Sequence, residues 1–161
     1  MKKSSTLFLQ GVIIFIGIVA LAIMIRFPLT EGRATNLDLF SIYADPFIIY
    51  GYLTSIAFFI ALYQAFKLLR YIRQNKVFSL KSVKSLRNIK YCAITLSCLI
   101  VIAATYIRVS FHGNADDDPA GFIAVAIVAI FISIVIATAA AMVERILQKA
   151  VDIKSENDLT V

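Results

Sequence analysis

The chain is poor in the residues with which soluble enzymes do their chemistry. Of 161 residues, one is histidine, His112, and two are cysteine, Cys92 and Cys98. No Asp or Glu occurs from Pro46 to Ala115. The apolar stretches hold no His-x-x-Glu, no paired acid and no close cysteine pair. Hydrolysis or thiol chemistry needs nucleophile, base or metal within reach of one another. None of these sets is present, so no enzyme activity, cofactor or metal is expected. Cys92 and Cys98, six residues apart in one helical run, point in different directions and are not expected to pair. They read as small apolar residues among neighbouring helices. Asp116, Asp117 and Asp118 could invite a metal, but consecutive side chains diverge, whereas calcium loops place ligands at alternate positions. A solvated acidic turn is the expected reading.

What the chain does have is long apolar runs. It is 60% hydrophobic, with a mean hydropathy of +0.85. Uncharged runs of about 18 residues or more are long enough to cross the hydrocarbon core. Four occur: Leu7–Ile25, Phe47–Phe66, Tyr91–Ile107 and Ala120–Val143. The remaining pieces are too short to bury cores of their own. The expected fold is all-α: a single integral-membrane four-helix bundle over residues 1–161, with spans at about 7–27, 47–69, 91–111 and 120–143. Arg26-Phe27-Pro28 stands where a small-x-small cleavage site would follow a signal peptide, so the first helix is expected to be retained. Gly11 and Gly17 would let a neighbour approach it closely.

Pro28 to Pro46 reads as a loop, with Asn36 capping a short turn and the whole packed as a lid over the bundle, a ligand-sensing role being the alternative. Tyr50 and Tyr52 suit the outer membrane interface. Small residues mark helix contacts in lipid. The stripe Ala57, Ala61, Ala65 is therefore expected to face Ala129, Ser133, Ala137, Ala141, with contact to a second copy, a homo-oligomer, as the alternative. Thr54, Ser55, Gln64, Thr95, Ser97, Thr105 and Ser133 read as interhelical hydrogen-bonding residues.

The chain's basic residues are concentrated between the second and third runs. Lys67, Arg70, Arg73, Lys76, Lys81, Lys84, Arg87 and Lys90 make up eight of the sixteen. Asn75 is the expected stop of the second helix. Ser79 is the expected N-cap of the third, with Phe78 and Val83 as a hydrophobic staple across it. Leu80, Val83, Leu86 and Ile89 recur every three residues opposite Lys81, Lys84, Ser85 and Asn88. The spacing predicts a short amphipathic segment at the headgroup level, held by apolar burial and anionic lipid.

Cytoplasmic segments carry the Lys/Arg excess. With both termini inside, the inner face would hold Lys2, Lys3, the eight hinge residues, Arg145, Lys149 and Lys154. Only Arg26, Arg33 and Arg108 would lie outside. Both ends, the hinge 67–90 and the tail 144–161 are therefore expected in the cytoplasm. The formal charge of +6 is explained by this placement. Direct nucleic-acid binding would need a groove-reading element or a basic face interleaved with aromatics, and neither is visible.

Asn75-Lys76-Val77-Phe78-Ser79 followed by Leu86-Arg87-Asn88-Ile89 resembles the central loop of small bacterial membrane proteins grouped as domain of unknown function 2975. The ending from Asp152 to Val161 is similar to that family's ending, and the likeness extends over most of the chain through the four-helix pattern. The family supplies no activity to carry over. Its members are often encoded beside a small helix-turn-helix regulator, which implies by association a cytoplasmic DNA-binding partner.

Two functions of different class follow. The first is a regulatory or interaction module of the bacterial inner membrane, presenting the hinge and tail to a soluble partner. Its contact residues would be the eight basic residues with Phe78, Ser79, Leu159 and Val161. Leu159-Thr160-Val161 alternates as a strand adding to a sheet edge would. The second is a small transporter or channel subunit. Coupling ions or protons would want a charge deep in a span. Arg26 and Arg108, both at outer helix ends, are the only candidates.

Overall fold

A computed structural model of the chain describes residues 3–30, 43, 45–110 and 120–159. Four helices follow one another: α1 (Lys3–Thr30), α2 (Pro46–Arg73), α3 (Leu80–Ser110) and α4 (Ala120–Leu159). Among the described residues there is no strand. Each helix is long and apolar enough to cross a membrane. At 1.5 Å per residue α4 is about 60 Å long, roughly twice the hydrocarbon thickness. The loop expected between Pro28 and Pro46 falls almost wholly outside the described residues, as does the turn with His112 and the three aspartates.

Local chemistry explains the helix ends. The sequence predicts that the first span stops before Pro28, yet the helix runs on to Thr30 with Pro28 inside its last turn. A proline has no N–H to give the carbonyl four residues back. That carbonyl, Met24 O, instead accepts from the Tyr52 hydroxyl of α2 at 3.2 Å. α2 starts with Pro46 in its first turn and Asp45 as cap, the carboxylate accepting from Phe47 N–H at 2.7 Å. Its end is a Schellman motif: Lys76 N–H donates to Tyr71 O at 2.9 Å and Asn75 N–H to Ile72 O at 3.1 Å. Asn75 takes the left-handed conformation this requires, with φ 56°. The expected stop is therefore in place.

Packing is serial. α3–α4 is the most extensive seam, followed by α2–α3 and then α1–α2. α3 is shielded at Ser82, Leu86, Ile89, Ala93, Leu96, Ile100, Ala103 and Ile107, at alternating intervals of four and three. α4 is shielded in the same rhythm at Ala126, Ile130, Ser133, Ala137, Ala140, Glu144, Leu147 and Val151. This is the heptad spacing of a coiled coil, and the two helices run antiparallel. Arg87 meets Glu144 at one end, while Arg108 and Ile123 line one groove at the other.

Several sequence expectations need correction here. The small-residue stripe of α4 faces α3, not the alanines of α2. α2 and α4 share no comparable seam, though Phe47 and Phe122 meet edge-to-face at 5.9 Å. A Cβ added at Gly11 or Gly17 would find nothing within 4 Å, so neither glycine marks a close approach within the chain. Tyr50 and Tyr52 are half-buried and donate to Leu99 O (2.7 Å) and Met24 O, which ties α2 to both neighbours. The hydroxyls of the spans do not bridge helices in the same way. Ser55, Ser97, Thr105 and Ser133 each donate to a carbonyl three or four residues back in their own helix. A hydroxyl on a helix can reach such a carbonyl and then needs no partner helix, although Thr54 Oγ1 is buried without a hydrogen-bond partner among the described residues.

Candidate interaction surface at the charged helix ends

Three helices leave the apolar zone together. Lys67 ends the uncharged run of α2, Lys90 precedes that of α3, and Glu144 follows that of α4. Lys90 Nζ and Arg87 Nε each donate to Glu144, to Oε2 and Oε1, both at 2.7 Å. The carboxylate is buried and joined to two cations across the α3–α4 seam. Burial pushes the Glu144 carboxyl up, and the hydrogen bonds and charges of Lys90 and Arg87 more than offset it. The group therefore titrates below its ordinary range. Lys67 and Lys90 are half-buried and place their ammonium groups 6.0 Å and 4.9 Å from the rings of Tyr63 and Tyr91.

Beyond this level lies the main buried core of the chain. Val83 and Leu86 of α3 pack with Ala140 and Leu147 of α4. Leu68, Val77, Ile89 and Val151 close around them. The stretch from Leu80 feeds directly into the third helix as expected, but the apolar face at Val83 and Leu86 is covered by protein, not lipid. It is the first three turns of α3, and Val83 and Leu86 are buried in protein, as are Ser82 and Ser85. A groove of apolar side chains supplied by α2 and α4 is already there, so the segment needs no lipid to cover it.

The hinge itself is tightly built. Ser79 caps α3 as expected, its hydroxyl accepting from Ser82 N–H at 3.4 Å. The hydroxyls of Ser79 and Ser82 both donate to Lys76 O, at 2.8 and 3.1 Å. The expected staple is displaced by one residue. Val77, not Phe78, packs on the core that holds Val83. A tight turn from Ser79 N–H to Val77 O, 2.9 Å, leaves Phe78 on the outside. Phe78 and Leu80 are 58% and 66% exposed. Arg70, Arg73, Lys76, Lys81 and Lys84 are exposed, and among the described residues none of them forms an ion pair. A cleft of about 410 Å³ lies between the end of α2 and the start of α3, lined by Tyr71, Gln74, Lys76, Ser79, Leu80 and Lys81.

The structure therefore brings most of the sequence-predicted contact residues onto one end of the bundle, in two tiers. Lys67, Arg87 and Lys90 sit at the exit level, held by rings or by Glu144. The other cations stand further out. The tail is different. α4 is helical through Leu159, so Leu159 is not in a strand, and Val161 lies outside the described residues. Sequence reasoning puts Glu144 and Gln148 on the side of the basic hinge, but does not identify Glu144 as a hub for two cations. The available signal was a lone acid directly after an uncharged run of 24 residues, facing a chain segment rich in cations. Thr6 and Gln10, buried one turn apart on α1, were also unanticipated.

Comparison with known proteins places this architecture. No solved structure matches the chain. A curated relative, described as "Uncharacterized membrane protein YoaS" from Bacillus subtilis (strain 168), is 45% identical over the whole of both chains. A family profile described as "Protein of unknown function (DUF2975)" matches residues 28–161, that is, α2 to α4 with the hinge and tail. With four helices each able to span a bilayer and this likeness over its full length, the chain is a membrane protein that belongs to the DUF2975 family.

Proposed function

We propose that the protein is a non-enzymatic interaction module of the bacterial inner membrane, with both termini and the hinge in the cytoplasm. One observation carries the reading. The helices do not end where the apolar runs end. They continue into a collar with its own apolar core, ringed by Arg70, Arg73, Lys76, Lys81 and Lys84 without counter-ions among the described residues. A chain that only had to span the bilayer has no need of such a collar. At the exit level Lys67, Arg87 and Lys90 meet anionic lipid headgroups. Further out, the exposed cations meet a soluble partner, for which a helix-turn-helix regulator is the candidate implied by the family. A transport reading draws no support from Ser97, Thr105 and Ser133 of the spans, which bond to their own backbone.

The experiment has two arms. A reporter fused at Val161 should be active only in the cytoplasm. A photo-crosslinker at Lys84 should join the protein to a cytoplasmic partner that one at Phe15, on α1, does not capture. A reporter active only outside the cell, or identical products from both positions, would overturn the reading.

A further inference from the structure

The height of the collar decides what Phe78 and Leu80 are for. Lys90 and Glu144 are the first charges beyond the uncharged runs of α3 and α4, and the hydrocarbon edge is placed at their level. Leu80 lies ten residues further along α3 than Lys90, about 15 Å at the helical rise. The headgroup layer is only about 5–8 Å deep on each side. On that placement Phe78 and Leu80, both more than half exposed, would stand beyond the headgroups. Around them are Lys76, Lys81 and Lys84, all exposed. Among the described residues no carboxylate forms an ion pair with these cations. No Asp or Glu occurs from Pro46 to Ala115, Glu144 is engaged by Arg87 and Lys90, and Asp152 accepts from Gln148 at 2.8 Å. Aromatic and large apolar anchors inside a polar rim are the usual core of a protein interface.

We infer that the hinge from Lys76 to Lys84 is a docking surface for an acidic amphipathic segment of a soluble protein. Apolar side chains of that segment cover Phe78 and Leu80, and its carboxylates reach Lys76, Lys81 and Lys84. The cleft bounded by Tyr71, Gln74 and Lys81 receives its leading side chain. The inference rests on the interaction-module reading and names the surface and the chemistry of the partner. Lipid is the competing occupant, and the height of the two apolar residues argues against it.

The full chain, in nanodiscs of zwitterionic lipid, is titrated with two fluorescent peptides of equal charge, one alternating Glu with Leu and one of Glu and Gly alone. Nanodiscs expose both faces, so the result is independent of orientation in the cell. Lys76→Gln/Lys81→Gln should weaken both peptides at least about fivefold. Phe78→Ala/Leu80→Ala should weaken only the Glu/Leu peptide, while Lys149→Gln/Lys154→Gln on α4 should change neither. All these positions are exposed, and unaltered thermal unfolding confirms that each variant folds. Equal effects of the hinge and α4 variants would overturn the inference. So would a Phe78→Ala/Leu80→Ala variant that keeps the peptide but loses affinity for anionic vesicles, the signature of a lipid wedge.

Discussion

α4 and α1 are both apolar helices, and they are held in opposite ways. α4 is locked to α3 along a heptad seam that ends in a carboxylate bonded to two cations. α1 packs mainly on α2, and many of its apolar side chains, among them Phe8, Ile14, Phe15 and Ile18, are more than half exposed. What α1 buries is polar or cyclic: Thr6, Gln10 and Pro28. The difference follows from the solvent. In lipid an exposed isoleucine costs nothing, so helices associate through small residues and close packing rather than through burial. In water the same residue must be covered. Val83, Leu86 and Leu147 are covered, and they lie at the end of the bundle where the charges begin.

The comparison predicts a gradient of sensitivity, largest at the collar. Leu86→Ala or Leu147→Ala should cost about 2–5 kcal/mol in mild detergent, as cavities in packed cores do, whereas Phe15→Ala on α1 should stay within about 0.5 kcal/mol. Comparable losses at both places would mean that α1 has partners of its own and that the contrast is false.

Glu144→Gln comes next. It leaves Lys90 and Arg87 facing a neutral amide, and should cost about 1–3 kcal/mol. Acid should do the same to the unmodified protein. The folded carboxyl titrates below its ordinary 4.5, so its contribution is fully present above that value. It is lost as the pH falls through the lowered folded value. Thermal unfolding of the wild type should therefore drop in acid toward that of Glu144→Gln, and a wild type that keeps its full advantage there would refute the pairing.

Asn75 sharpens the picture at the hinge. At its φ of 56° Asn75→Ala should cost about 1 kcal/mol, while Asn75→Gly should be neutral or better. Equal effects would show that the left-handed turn is not needed to place α3. The smallest effect belongs to the weak seam. Tyr52→Phe removes one hydrogen bond to Met24 O, worth about 1 kcal/mol or less. Its readout is lower crosslinking between cysteines introduced on α1 and α2, with the α3–α4 seam unchanged.

Much of this is legible in the chain. Four helices long and apolar enough to cross a membrane, the stop at Asn75 and the cap at Ser79 depend on residues close in sequence, and each appears as expected. The staple shifts by one residue because which side of a turn faces the core depends on where the core is. The stripe of α4 can be read as a contact, but its partner cannot, since small residues fit α2 and α3 equally well. The segment from Leu80 to Ile89 turns Val83 and Leu86 to protein rather than lipid for the same reason. Its amphipathic face is the same whether lipid or a neighbouring helix covers it.

The sequence by itself determined that the chain has four helices long and apolar enough to cross a membrane, with charges kept to their ends, because hydrocarbon tolerates neither charge nor unpaired backbone. Only the tertiary structure decided that α3 and α4 pair beyond their uncharged runs, that Glu144 binds Arg87 and Lys90 together, and that Phe78 and Leu80 face outward. Pairing and register depend on side chains more than fifty residues apart meeting at 2.7 Å. No pattern local to either helix contains that information.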